Sequence, residues 1–266
     1  MLRLQRVGGC MQGLGSIKEN ICYREAVNRA GETERLELDV DLPENDLREA
    51  ETSVGNSDGA DQEGQPVILW VHGGALVTGD KAAYYDPCVE LSKKLAAEGY
   101  PGVRINYRLN PKVYEDGSYD RTMQEAAEDI TAAAEWVLQD PEKLGFAGRK
   151  LVLAGYSAGA ELVTNLYYDS HMVSELRREQ VCGVIDISGN RLFYTDRPLP
   201  EAAVPCLVFH GEADDINPPE DTRTFLAQMD GRAQMNWVPD RGHMWTDEEG
   251  MALLYKRILQ YLHEIR

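Results

Sequence analysis

Hydrophobic residues along the chain follow two different periods, and the alternation between them predicts a layered α/β protein. In residues 35–42 apolar and charged side chains alternate, which is typical of a half-buried antiparallel strand, and residues 20–27 precede it as its expected partner. Later, continuous Val, Ile and Leu runs are separated by segments whose apolar residues recur every three or four positions. Unbroken apolar strands between amphipathic helices indicate a mostly parallel sheet that is covered on both faces.

The pattern predicts eight strands in one sheet, of which the first two are antiparallel. The six later strands are PVILWVHGG, PGVRINYRL, LVLAGYS, VCGVIDISG, VPCLVFHG and AQMNWVP. Helices are predicted at about residues 85–98, 122–139, 158–168 and 247–265. We therefore expect a single α/β domain over residues 1–266, with helices on both faces of the sheet.

Two segments interrupt this regular alternation. Residues 44–65 carry many carboxylates and a single arginine among Gly and Ser residues, which predicts an acidic, flexible loop inserted into the domain. Residues 190–203 are all that lies between the sixth predicted strand and VPCLVF, so they can form no more than a short cap-like segment.

A lone serine lies between two glycines where a predicted strand meets a predicted helix, in the stretch Gly155-Tyr156-Ser157-Ala158-Gly159. A serine hydroxyl is a weak nucleophile at neutral pH and needs a base within hydrogen-bond reach. Small flanking residues let the strand and the helix approach closely, while the turn exposes the hydroxyl at the carboxyl end of the sheet. A serine that only caps the helix is the alternative for the isolated motif, but its strand–turn–helix context favours a nucleophile.

An acid and a histidine follow this serine in the order that a nucleophile–acid–base triad on such a sheet requires. Asp214 follows the seventh predicted strand in HGEADDINP, and His243 follows the eighth in PDRGHMW. We expect His243 to accept the proton of Ser157 and Asp214 to orient the imidazole. Asp215 and Asp186, which lies near the end of the sixth strand, stay open as alternative acids.

The loop after the third predicted strand, HGGALVTGD, is expected to supply backbone N–H groups to an oxyanion. Its glycines let N–H groups approach a developing negative charge without obstruction by side chains. Gly74 is the first expected donor, Ala75 or Gly73 the second, and Ala158 in the first turn of the next helix lies opposite. A tight turn that needs glycine is the alternative, and His72 is expected to brace this loop.

Together these stretches resemble the α/β-hydrolase esterases, within the broad carboxylesterase, hormone-sensitive-lipase-like and acetyl/feruloyl esterase group. The similarity runs from about residue 36 to the C-terminus and rests on HGGALVTGDK, INYRL, AAEDITAAAEWV, AGYSAGAE, HGEADDINP and GHMW. It implies the α/β-hydrolase fold with a minimal cap, and an acyl-enzyme formed on Ser157 from short-chain acyl or acetyl/feruloyl-type esters. HGGA stands where many members have HGGG, which leaves a third donor from the loop undecided.

Side chains beside the motif residues are candidates for the walls of a substrate pocket. These candidates are Leu76, Tyr156, Phe193 and Trp245, with packing under the cap-like segment as the alternative for Phe193. Neither a metal nor an organic cofactor is expected, because the sequence has no HExxH motif, no P-loop and no cluster of His and Cys ligands.

Charge and cysteine content restrict the partners and the compartment. With 45 acidic and 27 basic residues the net charge is −18, which argues against nucleic acid and anionic membranes because like charges repel. The five cysteines form no CxxC pair, and the N-terminal stretch lacks the apolar core of a signal peptide. We expect a cytoplasmic protein whose partner is a small-molecule ester, and no feature predicts a homodimer.

Two further functions stay open at this point. A small serine peptidase of the prolyl-oligopeptidase-like group would use the same triad, although such enzymes usually carry an additional large domain. A non-catalytic, ligand-binding member of the fold would usually lack a triad residue, whereas all three are present in this sequence.

Overall fold

The computed structural model describes residues 17–43, 64–169, 175–189 and 203–265 of the chain. Within these ranges eight strands form one sheet in the order β1-β2-β4-β3-β5-β6-β7-β8. The strands are β1 Ile17–Val27, β2 Thr33–Asp41, β3 Val67–Val71, β4 Gly102–Ile105, β5 Leu151–Tyr156, β6 Val181–Ile187, β7 Cys206–Gly211 and β8 Ala233–Val238. β2 pairs antiparallel with both β1 and β4, and the other neighbours are parallel, so the predicted mostly parallel sheet is confirmed.

The described ranges contain five α-helices, of which the last follows the final strand. They are α1 Pro87–Ala97, α2 Tyr119–Gln139, α3 Ala158–Tyr168, α4 Pro219–Gln228 and α5 Glu248–Glu264. The sequence pattern did not predict α4, because this short helix buries only Thr222 and Phe225 and so shows little apolar periodicity.

The sheet separates two hydrophobic cores. On one face, Leu69 and Leu153 pack with Ile130 of α2 and Leu162 of α3. On the opposite face, Ile68 and Val152 of the same strands belong to a cluster with residues of α1 and α5. Alternate residues of β3 and β5 therefore face different helical layers, which is why both strands read as continuous apolar runs.

β2 departs from the half-buried strand that the alternating pattern predicted. Its apolar residues Leu36, Leu38 and Val40 are buried as expected, but Asp39 and Asp41 on its other face are also buried. These two carboxylates can be buried because they form ion pairs with cations of neighbouring segments. The acidic segment 44–65 and the cap-like segment 190–203 lie almost wholly outside the described residues.

Candidate active site

Ser157 occupies a strained turn between β5 and α3. Its backbone has φ 52° and ψ −122°, a conformation that a residue with a Cβ adopts at a cost of about 1–3 kcal/mol. The turn is held by a hydrogen bond from the Ser157 N–H to the Ile187 carbonyl at 2.8 Å, across to the end of β6. The hydroxyl is therefore presented at the carboxyl edge of the sheet.

The two glycines that flank the serine permit this turn because backbone approaches them closely. A Cβ on Gly155 would overlap the backbone of Gly159, and a Cβ on Gly159 would overlap the carbonyl group of Val71 in β3. Any larger residue at either position would push α3 away from the sheet.

Ser157, His243 and Asp214 form one continuous chain of hydrogen bonds. His243 Nδ1 lies 2.8 Å from Asp214 Oδ2, and His243 Nε2 lies 2.9 Å from Ser157 Oγ. Because an ionised carboxylate can only accept, Nδ1 carries the ring proton and Nε2 offers its lone pair to the serine hydroxyl. The three residues that the sequence placed in one order are thus brought together in hydrogen-bonding geometry.

The environment of Asp214 favours its ionised form. Burial raises the pKa of this carboxyl, but hydrogen bonds from His243 and from the Asn217 and Ile216 backbone outweigh burial and hold the pKa below its usual range. The two backbone N–H groups reach Oδ1 at 3.0 and 2.9 Å, which leaves Oδ2 for the imidazole. Asp214 is therefore a carboxylate at neutral pH.

The alternative acids lie in other surroundings. Asp186 is buried at the end of β6, where it accepts hydrogen bonds from Thr164 Oγ1 at 3.2 Å and from the Gly189 N–H at 2.7 Å. Burial raises the pKa of Asp186 to about 6. Asp215 is exposed, and within the described ranges Asp214 is the only acidic side chain that hydrogen-bonds the His243 ring.

Ser188, just after β6, ties the histidine loop to the acid loop. Its hydroxyl accepts a 2.6 Å hydrogen bond from Trp245 Nε1, and its carbonyl accepts a 2.7 Å hydrogen bond from Asn217 Nδ2. The sequence analysis missed Ser188 and Asn217, because their role follows from the position of β6 between β5 and β7 and from no local motif.

A second histidine holds the acid loop against the unpredicted helix α4. His210 Nε2 lies 2.9 Å from the Asn217 carbonyl and therefore carries the proton, so Nδ1 accepts from Thr222 Oγ1 at 2.9 Å. This pairing uses both ring nitrogens, which makes His210 a structural support of the loop that carries Asp214.

In the loop after β3, one of the alternative oxyanion donors already has a hydrogen-bond acceptor. The Gly73 N–H donates to the buried carboxylate of Asp86 at 2.8 Å, so it is already in use. The other oxygen of Asp86 caps α1 by accepting from the Cys88 N–H at 2.9 Å. Sequence reasoning missed Asp86, although an aspartate immediately before a proline at a helix start is a recognisable N-cap signal.

The N–H groups of Gly74, Ala75 and Ala158 have no hydrogen-bond acceptor within the described part of the chain. Gly74 has φ 111° and Ala75 has φ 56°, so both depart from ordinary loop geometry. Ala158 lies in the first turn of α3, where the N–H groups have no partner inside the helix. These are the groups that an oxyanion at Ser157 would need.

The candidate pocket residues occupy mainly packing positions. Leu76 is buried in the core, and Trp245 is fully buried with its ring near Phe209. Tyr156 donates from its hydroxyl to the His243 carbonyl at 3.3 Å and so supports the histidine loop. Phe193 lies outside the described residues.

In the described ranges, no group of three or more His, Cys, Asp or Glu side chains is placed to hold a metal ion. No helix of these ranges has the length and apolar character needed to cross a bilayer.

Chemically, the site combines a hydroxyl, a base oriented by a carboxylate, and N–H groups without an acceptor in the described ranges. These are the groups that acyl transfer to a serine requires.

Comparison with protein families and characterised proteins places this chain among esterases. A model of the BD-FAE family matches residues 57–189, which is half of the chain. Human "Carboxylesterase 3" is 33% identical over 105 residues, covering 39% of this chain and 17% of that protein. "Ethyl acetate hydrolase" of Pseudomonas putida is 28% identical over 99 residues, covering 37% of this chain and 28% of that protein. The matched part of the chain thus spans a minor fraction of these relatives' length.

Solved structures with the same architecture cover almost the whole chain. Esterase 2 of Thermogutta terrifontis phosphoramylated by tabun superposes with a TM-score of 0.70 at 17% identity, covering 95% of this chain and 96% of that one. The propionate-bound esterase from the same organism gives a TM-score of 0.67 at 18% identity, with 96% of each chain covered. At this identity the likeness establishes the fold, which is that of the α/β-hydrolases.

Proposed function

The chain belongs to the BD-FAE family, and we propose that it is a serine carboxylic-ester hydrolase that works through an acyl-enzyme. One observation carries this proposal above the others. It is the hydrogen-bonded chain from Asp214 through His243 to Ser157, which ends beside N–H groups that have no acceptor in the described structure.

In the first half of the reaction Ser157 attacks the ester carbonyl. His243 Nε2, which lies 2.9 Å from Ser157 Oγ, accepts the hydroxyl proton as the new C–O bond forms. The carbonyl electron pair moves onto oxygen, and the N–H groups of Gly74, Ala75 and Ala158 stabilise this oxyanion. When the tetrahedral intermediate collapses, the bond to the leaving alcohol breaks and His243 returns the proton to the alcohol oxygen.

In the second half water repeats these steps on the acyl-enzyme. His243 removes a proton from the water, the resulting oxygen nucleophile attacks the acyl carbon, and the carboxylic acid leaves as Ser157 regains its proton. Throughout, the Asp214 carboxylate orients the ring and offsets the positive charge that the imidazole acquires. Its depressed pKa keeps it ionised for this role.

Small acyl groups are the substrates that we propose, including acetyl and feruloyl-type esters. The short segment between β6 and β7 leaves little chain for a cap that would enclose a long acyl group. Among the relatives, one is called "Ethyl acetate hydrolase", and solved structures of the Thermogutta terrifontis esterase hold propionate or butyrate.

We propose that the chain works in the reducing cytoplasm, because Cys22, Cys88, Cys182 and Cys206 are all free thiols.

Hydrolysis assays on the wild-type chain and on Ser157→Ala test the proposal directly. We expect aryl acetate to be hydrolysed faster than long-chain aryl esters and much faster than dipeptide anilides, which a peptidase would cleave. Ser157→Ala is expected to lower kcat by at least about 10⁴-fold, because the nucleophile and base act as a unit. A wild-type chain that cleaves only the anilides, or a Ser157→Ala variant with wild-type esterase activity, would contradict the proposal.

A further inference from the structure

The three peptide groups between residues 72 and 75, which form the oxyanion loop, each have their carbonyl oxygen held by a hydrogen bond. In a planar trans peptide the C=O and N–H groups point in opposite directions, so fixing the carbonyl also aims the N–H. The Gly74 carbonyl accepts from the Val77 and Thr78 N–H groups at 3.0 and 3.1 Å, which aims the Ala75 N–H.

The neighbouring peptide between Gly73 and Gly74 is held by a side chain. The Gly73 carbonyl lies 2.7 Å from His72 Nδ1, and the N–H of the same peptide belongs to Gly74, the first proposed oxyanion donor. Because a carbonyl can only accept, Nδ1 must carry the ring proton.

The peptide that precedes it is held at both ends. The His72 carbonyl accepts from the Tyr107 hydroxyl at 3.0 Å, and the Gly73 N–H donates to Asp86 at 2.8 Å. The His72 ring also stacks on Tyr107, with 4.5 Å between ring centroids and 22° between planes. Backbone and ring of His72 are therefore fixed independently of each other.

The second ring nitrogen makes the buried imidazole of His72 energetically unfavourable. His72 Nε2 is buried and has no hydrogen-bond partner within the described residues, and a buried polar atom without a partner costs about 1–3 kcal/mol. An apolar side chain would avoid that cost. Among the described residues, the ring makes its single hydrogen bond to the Gly73 carbonyl, so the imidazole is explained by that bond. Burial also lowers the pKa of His72, which keeps the ring neutral.

We infer that His72 is a positioning residue that, by donating from Nδ1 to the Gly73 carbonyl, holds the Gly74 N–H toward the oxyanion. The inference rests on the proposed function and adds to it a side chain that acts on the transition state through the backbone. Losing this bond lets the peptide rotate, and a displacement of about 1 Å of a catalytic group can cost about 10²-fold in rate.

A matched pair of amide variants tests this role. The side-chain nitrogen of asparagine lies as many bonds from the backbone as His72 Nδ1, whereas that of glutamine corresponds to Nε2. We expect His72→Asn to keep kcat for aryl acetate within about 3-fold of wild type. His72→Gln is expected to lose about 10- to 100-fold in kcat, with KM nearly unchanged, because substrate binding does not need the oxyanion donor. An aryl trifluoromethyl ketone forms an oxyanion on Ser157. Its inhibition constant should rise in His72→Gln by about the same factor by which kcat falls.

Thermal unfolding of both variants separates positioning from folding. If His72→Gln does not fold, Tyr107→Phe takes its place, since it deletes only the hydroxyl that holds the His72 carbonyl. Tyr107→Phe is expected to lower kcat by about 3- to 10-fold at constant KM. If the wild-type chain is active and the two His72 variants have equal kcat, the role of His72 is overturned while the proposed function stands. An inactive wild-type chain would overturn the proposed function as well.

Discussion

Two of the buried polar clusters in the described ranges differ in what their hydrogen bonds leave unused. The edge cluster, formed by Asp39, Asp41, Lys81 and Arg104, lies between β2 and β4. Arg104 Nε pairs with Asp41 Oδ2 at 2.8 Å, and Lys81 Nζ pairs with Asp39 Oδ1 at 3.3 Å. Its two carboxylates and two cations neutralise each other. The edge cluster is therefore closed, because each of its charged groups has a partner within it.

The site cluster, formed by Asp214, His243 and Ser157, is open at one end. Its hydrogen bonds are donated in one direction, from the Ser157 hydroxyl to the imidazole and from the imidazole to the Asp214 carboxylate, and the chain ends at the nucleophile. The nucleophile also lies on strained backbone, since Ser157 has φ 52° and ψ −122°. Burial of charge alone therefore does not distinguish a functional site from a structural one, whereas unused hydrogen-bonding capacity that converges on one point does.

The largest expected effect breaks the site cluster at its acid. Asp214→Asn removes the charge that supports the imidazolium and should lower kcat for aryl acetate by about 10⁴-fold. Asp186→Asn is the matched control, because it makes the same chemical change in a buried aspartate outside the hydrogen-bonded chain. A larger loss of kcat in Asp186→Asn than in Asp214→Asn would reverse the assignment of the acid.

Breaking the edge cluster should change stability and leave the chemistry alone. Arg104→Met leaves buried carboxylates without their principal cation and should lower the free energy of unfolding by about 3–5 kcal/mol. The exposed Arg35 on β2 supplies the control, since Arg35→Met should cost less than about 1 kcal/mol. Urea unfolding measures both values, and kcat of folded Arg104→Met should stay near that of wild type. A loss of kcat without a loss of stability would contradict a purely structural edge cluster.

Asp186 sharpens the comparison, because it is a buried acid that belongs to neither cluster. Its pKa is raised from 3.8 to about 6 in the folded chain. An acid with a raised folded pKa contributes stability that is fully present below the unfolded pKa and is lost as the pH rises through the folded value. Wild type should therefore lose stability through this group between about pH 4 and pH 6.

Asp186→Asn cannot ionise and should not show that loss. Between about pH 4.5 and about pH 7.5, the free energy of unfolding of wild type should fall by about 2 kcal/mol relative to that of the variant. Urea unfolding at the two pH values measures this change. A difference that is independent of pH would mean that Asp186 titrates normally in the folded chain.

Most of the sheet could be predicted from the sequence, because β3 to β7 are buried almost throughout and read as apolar runs. The nucleophile turn could be predicted as well, since the serine and its two flanking glycines lie within five consecutive residues, from Gly155 to Gly159. Helix α4 could not, because it buries too few residues to show a period. The role of Ser188 depends on which strands are neighbours, and that information is spread over the whole chain.

The central claim is that Ser157 forms the covalent bond to the acyl group. Reaction with a fluorophosphonate followed by peptide mass spectrometry tests it most directly, because the adduct does not hydrolyse during analysis. The account predicts a single adduct on the peptide that contains Ser157, with loss of esterase activity in proportion to labelling and no adduct on Ser157→Ala. Labelling at another residue, or full labelling of Ser157→Ala with loss of activity, would contradict it.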